Sequence, residues 1–332
     1  MVLKFDEQKV RENMEGALKL RPQINEVVDQ IHDRGFSNIC WLGIGGTYAS
    51  AMQAVVHMKE KTALETFYEN AAVFLTTGNK RVTKDTLVVI SSVTGSTQEV
   101  VDAVKKCNEI GATVFGFIDK AEAELATLVD HLISYPLNEQ LKFFMVADRF
   151  MYLAGEFEDY DAFYQEMDQH FAEGIVEVEK AADKFGQEFA LKHHQDDIHY
   201  FVGAGNQWGA TYSYAMCYWE EQHWIKTKSI ESHEFFHGMF EIVERDTPVT
   251  IYVTEDSQRS LSERVVNFIP QICANYTVID AKDYDMPGIS AKFRGALSPF
   301  IIHAVNNRID VHVEKINCHP MEIRRYYRQL DY

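Results

Sequence analysis

The sequence predicts an α/β chain of two tandem lobes, each a parallel sheet flanked by helices. Three observations predict it. Short, continuous apolar runs alternate with amphipathic stretches, the pattern of strands buried on both faces between helices. The same order of elements occurs twice. Loops rich in glycine or hydroxyls directly follow two of the apolar runs.

Taken in order, residues 5–34 read as one amphipathic helix, with Val10, Met14, Leu18 and Ile24 on one stripe and Gly35 after its end. Asn38–Gly43 (NICWLG) is a strand, followed by the loop 43–47 and a helix over 48–59. Residues 86–91 form a second strand, the turn 92–95 follows, and a helix runs over 97–109 until Gly111 breaks it. Residues 112–118 are the third strand. Ile198–Gly203 (IHYFVG) restarts the pattern, with a helix over 208–221, a strand over 250–254, a helix over 258–268 and a strand over 275–280. The stretches VVISSVTGSTQEVVDAVKKCNEIGATVFGFID and VTIYVTEDSQRSLSERVVNFIPQICANYTVID correspond element for element, as a duplicated α/β unit would. Helical sequence over 138–192 connects the copies, and a last helix over 299–316 precedes a polar tail. The expected organisation is an N-terminal helix (1–35), a first lobe (36–157), a connecting helix (158–195) and a second lobe (196–332).

Lysine and arginine total 32 against 50 acidic residues, a net charge of −18. Such a surface repels nucleic acid and anionic membranes, and neither is an expected partner. The first residues are polar, unlike a signal peptide, and no apolar run would span a bilayer. Five scattered cysteines, never in a CxxC, fit reduced thiols and a cytoplasmic location.

The loop Gly43–Ile44–Gly45–Gly46–Thr47 gathers backbone N–H groups at a helix N-terminus, where phosphate binds. A dinucleotide fingerprint would need a third glycine at Tyr48, and there is no GxxxxGK[ST]. Ser91–Ser92–Val93–Thr94–Gly95–Ser96–Thr97 offers more hydroxyls than one helix cap uses. Gly45, Gly46, Thr47, Ser92, Thr94, Gly95, Ser96 and Thr97 are therefore the candidate phosphate-binding residues. The matching loop of the second copy, Thr254–Glu255–Asp256–Ser257, carries two carboxylates that repel phosphate, so one phosphate site per chain is expected. His233–Glu234–Phe235–Phe236–His237 spells HExxH, a zinc pattern on a continuous helix. Gly238 directly after it suits a helix end instead, and neither zinc nor any cofactor is expected.

The Ser92-x-Thr94-Gly95-x-Thr97 loop, the segment YSYAMCYWEEQHWIKTKSIESHEFFHGMFEIVE (residues 212–244) and the tail HPMEIRRYYRQLDY resemble the sugar-isomerase (SIS) domain proteins. Within them, the chain is most similar to the deglycases of fructoselysine 6-phosphate and glucoselysine 6-phosphate, relatives of the isomerase half of glucosamine-6-phosphate synthase. The resemblance implies release of an amine, lysine above all, from a 6-phosphorylated sugar–amine adduct by a homodimer with shared active sites. It implies Glu221 and His237 as the acid–base pair, and Thr47, Ser92, Thr94 and Thr97 at the phosphate. Glu231 and Glu234 are candidates for the amine end, and Tyr326, Tyr327 and Tyr332 for a lid. Met239 stands where the family has proline, and residues 206–208 match no family pattern. An amino-sugar-phosphate isomerase or deaminase, or a sugar-phosphate sensor that does not turn over, is the alternative.

Overall fold

The computed structural model describes residues 2–331. The chain forms two compact units, Glu12–Asp168 and a second made of residues up to Arg11 together with those from Gln169 onward.

In the first unit, α1 (Glu7–Leu18, begun in the other unit) and α2 (Arg21–Arg34) replace the single expected helix. Pro22 lies in the first turn of α2, where its missing N–H costs nothing, whereas mid-helix it would break the ladder. The core is a five-stranded, wholly parallel sheet of β1 (Asn38–Gly43), β2 (Thr66–Asn70), β3 (Thr86–Ser92), β4 (Thr113–Ile118) and β5 (His131–Ile133), in the order β2-β1-β3-β4-β5. β1, β3 and β4 are buried at every position, as their apolar runs require. Helices α3 (Gly46–Lys59), α4 (Ala71–Thr77), α5 (Gln98–Ile110) and α6 (Glu139–Leu153) connect or follow the strands, and α7 (Tyr160–Glu166) closes the unit. On α5, Val100, Val101, Val104 and Cys107 face the sheet at helical spacing.

The second unit repeats the topology with four parallel strands: β6 (Ile198–Gly203), β7 (Lys226–Glu231), β8 (Val249–Val253) and β9 (Tyr276–Asp280), ordered β7-β6-β8-β9. The long helix α8 (Ala172–His193), expected as a connector, packs along the final helix α11 (Ala291–Asn317) and so belongs to this unit. Buried Arg308 of α11 holds α8 through Asp183 at 2.7 Å and Glu179 at 3.5 Å. The final helix starts two turns before the expected 299, with Pro299 inside it. The helix after β6 is α9 (Trp208–Ser213), which widens into a π-helical turn, Tyr214–Glu220; α10 (Arg259–Phe268) joins β8 to β9. Among the described residues no helix is long and apolar enough to cross a membrane.

Candidate functional site

In the first sheet, β2 lies on one side of β1 and β3 on the other, so the loops leaving β1 and β3 diverge at a topological switch point. Leu42 pairs with Ile90, which sets the two loops side by side at the carboxyl ends of the strands. The hydroxyls there divide into two groups. Thr47 Oγ1 lies 3.0 Å from both the amide and the carbonyl of Ile44 and shapes its own loop. Buried Ser92 accepts the Gly95 N–H at 3.0 Å, leaving its own O–H to donate. The Ser96 amide donates to Thr94 Oγ1 at 3.4 Å. Thr97 stands at the N-cap of α5 without a side-chain capping bond. Asn70 shows what an engaged cap does: its side chain accepts from both Ala72 and Val73 amides of α4. Gly95 sits at φ 62°, and a Cβ there would lie 2.3 Å from that of Ala123, so the turn requires glycine. Gly45 caps α3 at φ 61° with open space where a Cβ would be. Hydroxyls and free first-turn amides together can hold a phosphate monoester.

One participant escaped sequence reasoning. Glu139, in the first turn of α6, is hydrogen-bonded by Ser50 and Ser91, and burial holds its carboxyl above the usual range. That shift favours the neutral acid and lessens repulsion of a nearby anion. Its only sequence signal was a carboxylate opening a helix.

The switch point of the second sheet is filled. Asp256 accepts the Asn206 amide at 2.9 Å on one carboxylate oxygen and the Gln258 amide at 2.9 Å on the other. A Cβ on Gly205 (φ 60°) would lie 2.3 Å from Asp256 Oδ2. Neighbouring Glu255 pairs with Arg294 at 2.7 Å. The protein's own carboxylate thus takes the amides that an anion would use.

Glu221 follows the π-helical turn, its N–H reaching back five residues to the Met216 carbonyl. Buried Asp310 anchors the turn on both sides, accepting from Tyr214 Oη at 2.9 Å and meeting His223 Nε2 at 3.0 Å. The Glu221 carboxylate, one-third exposed, accepts from Arg324 Nε of the tail at 2.7 Å. His237 is exposed on a 3₁₀ turn, Phe235–His237, with its amide bonded to the Glu234 carbonyl. This turn does not align residues 233 and 237 as an α-helix would, so HEFFH lacks the helical face its zinc reading needs. His233 instead lies between Glu231 at 3.7 Å and Glu234 at 3.9 Å.

Within one chain, Glu221 and His237 flank opposite ends of β7. Glu220, beside Glu221, accepts from Thr227 at the start of the strand, whereas Ser232 at its far end bonds to Gly203. Six strand residues span roughly 16 Å at about 3.3 Å per step. Of the lid candidates, Tyr326 and Tyr327 are exposed, and Tyr332 lies outside the described residues.

Residues 34–147 match the SIS domain family. Over 95% of its length the chain is 23% identical to a fructosamine deglycase of Bacillus subtilis, covering 98% of that protein. It is also 23% identical to a fructoselysine 6-phosphate deglycase of Escherichia coli, covering 92% of this chain and 90% of the other. In structure, it superposes on the C-terminal domain of glucosamine-fructose-6-phosphate aminotransferase from Francisella tularensis with a TM-score of 0.74, at 12% identity and 95% coverage of each chain. With a solved phosphosugar-isomerase candidate of Bacillus subtilis the TM-score is 0.87, at 23% identity over 95% of this chain and 99% of that one. Residues 34–147 are thus a SIS domain, and the chain as a whole has the two-sheet fold of these solved structures.

Proposed function

We propose that the chain is a deglycase that hydrolyses a 6-phosphorylated sugar–amine adduct to hexose 6-phosphate and a free amine, lysine being the first candidate. The observation that carries this reading is the split of the acid–base pair. A carboxylate gripped by a tail arginine precedes β7 and an exposed imidazole follows it, with about 16 Å of strand between the two ends at roughly 3.3 Å per residue. A pair completed by a second copy of the chain fits this separation, as does similarity to deglycases over nearly the whole length.

In this scheme the Ser92–Thr97 loop and the α3 N-terminus hold the 6-phosphate. His237 assists ring opening by moving a proton at the ring oxygen. Glu221 removes a proton from the carbon next to the carbonyl, giving an enaminol. Protonation of the neighbouring carbon shifts the double bond into the C–N link. Water adds to the resulting imine, and the carbinolamine expels the amine, which leaves with a proton. A 1-amino-ketose yields glucose 6-phosphate and a 2-amino-aldose fructose 6-phosphate. Proton transfers and water suffice for every step.

Glu221→Gln and His237→Asn should each lower kcat by about 10²–10⁴-fold, the usual worth of a positioned proton-transfer group. Mixing the two variants should restore part of the activity, because a mixed dimer contains one intact pair. Near wild-type kcat in either variant would remove that residue from the mechanism. Two inactive variants that stay inactive on mixing, under conditions where subunits exchange, would place both residues in one chain's site.

A further inference from the structure

The candidate base owes its direction to a break in helical geometry. Tyr214 and His223 are nine residues apart (223 − 214 = 9). On an α-helix, nine steps of about 100° make roughly two and a half turns, which puts two such residues on opposite faces. Here both reach one atom: Asp310 Oδ1 accepts from Tyr214 Oη at 2.9 Å and meets His223 Nε2 at 3.0 Å. The π-helical turn takes up the difference. The amides of Glu221 and His223 each reach back five residues, to the carbonyls of Met216 at 3.0 Å and Tyr218 at 2.9 Å, so the chain turns less per residue than an α-helix does. Such wide turns inside helices recur at functional sites.

Glu221 lies between the two anchored residues. All three members of the anchor are buried: Tyr214 is 3%, His223 5% and Asp310 2% exposed. A carboxylate can only accept, so His223 presents its Nε2–H. Burial, and then the nearby Asp310, hold the Tyr214 hydroxyl well above its usual range, and it stays a donor. Asp310 itself comes from α11, which is fixed along α8 and not by the turn. Losing the shared acceptor would leave two buried donors unpaired and free the turn to relax. A relaxation to α-geometry swings the residues beyond it by up to about one residue's rotation, roughly 100°. It would carry the Glu221 carboxylate off Arg324 Nε, which donates to it at 2.7 Å. The geometry points to Asp310 as a positioning residue of the proposed reaction: it locks the π-helical turn in the register that aims the Glu221 carboxylate. The inference rests on the deglycase reading for the role of Glu221 as base; the lock itself does not.

The test uses the full chain and the 6-phosphorylated fructosamine of lysine as substrate. Asp310→Ala removes the acceptor, Asp310→Asn keeps an accepting oxygen, and Tyr214→Phe removes one donor while keeping the ring. Asp310→Ala should lower kcat by about 10–100-fold, the scale of a misplacement of about 1 Å, with KM within about twofold of wild type. Tyr214→Phe should lower kcat by about threefold to tenfold, and Asp310→Asn should recover most of the loss. The decisive measurement is a double-mutant cycle. In the Glu221→Gln background, Asp310→Ala should cost less than about a further twofold, because residues acting as a unit are not additive. Should Asp310→Ala fail to fold, Tyr214→Phe carries the same cycle. Equal fractional losses with and without Glu221 would make the anchor a matter of stability alone and overturn the inference. Hydrogen exchange separates the lock from the chemistry: the Glu221 and His223 amides should exchange about tenfold faster in Asp310→Ala or Tyr214→Phe, with the amides of α11 unchanged. Near wild-type kcat in Glu221→Gln removes the base, and with it the deglycase assignment, whereas unchanged exchange at those two amides removes the lock.

Discussion

The two sheets share a strand order and differ in what fills the gap where their loops diverge. In the first unit the gap is lined by Ser92, Thr94, Ser96 and Thr97, with Thr97 at the N-cap of α5 making no side-chain capping bond and glycines Gly45 and Gly95 at the tight turns. In the second, Asp256 folds into the gap and takes two backbone amides for itself. The electrostatics of a parallel α/β switch point favour an anion in both cases. A duplicated fold can therefore keep that property as a ligand site in one copy and use it for internal stability in the other. The copy with the filled gap is the one that carries Glu221 and His237. Under the proposed function, binding and proton transfer are divided between the repeats.

The largest expected effect falls on the open gap. Removing the substrate's 6-phosphate should lower kcat/KM by roughly 10²–10⁴-fold, corresponding to two charge-assisted hydrogen bonds of about 1.5–3 kcal/mol each. Part of the loss should appear in kcat, because remote binding energy is used at the reacting carbon. Comparable turnover of the unphosphorylated adduct would reduce the first loop to an elaborate cap and erase the contrast with the second.

A smaller effect is expected at the filled gap. Asp256→Asn turns an amide NH₂ toward one of the two N–H donors and should cost about 1–3 kcal/mol. Thermal unfolding should drop by about 2–4 °C for each kcal/mol, with the turnover of substrate unchanged. A loss of turnover without a loss of stability would show that the second gap also handles ligand.

A third effect, on stability alone, concerns pH. His199 is buried and neutral, its pKa pushed down to about 4 by burial, despite the hydrogen bond it donates to Asp196, which favours its charged form. The unfolded histidine titrates near 6.5, so between that value and about 4 the unfolded chain binds the extra proton. Stability should be fully present above pH 6.5 and fall as pH drops through this window, by at most about 1.4 kcal/mol per pH unit for this group. Denaturant midpoints from pH 7.5 to 4.5 check it; His199→Gln should flatten the slope, and an unchanged slope would reject the assignment.

Much of this architecture was legible in the sequence because it is written in burial. β1 and β6 were read with their final boundaries, and β3, β4, β8 and β9 within one or two residues, since continuous apolar runs mark strands covered on both faces. The strands that escaped, β2, β5 and β7, all lie at sheet edges. Their sequences, such as KTKSIE in β7, mix charge with apolar residues and leave no such run. The last helix was expected from 299, yet it begins at Ala291 and carries Pro299 inside; packing of α11 along α8 outweighs the cost of an internal proline. At the site, the hydroxyl loop and the acidic loop were visible as composition. The division of labour among the hydroxyls was not, nor was the reach of Asp256 to the amides 50 and 2 residues away. The pairing of Arg324 with Glu221 spans 103 residues and has no local signature.

The central claim, that one gap binds phosphate and the other is closed by the chain itself, is tested most directly by stoichiometry. Calorimetric titration with glucose 6-phosphate and with fructose 6-phosphate should give one site per chain. A Ser92→Ala, Thr97→Val double variant should weaken binding at least tenfold, whereas Asp256→Asn should leave both affinity and stoichiometry as they are. Two sites per chain, or binding indifferent to the first loop, would contradict it.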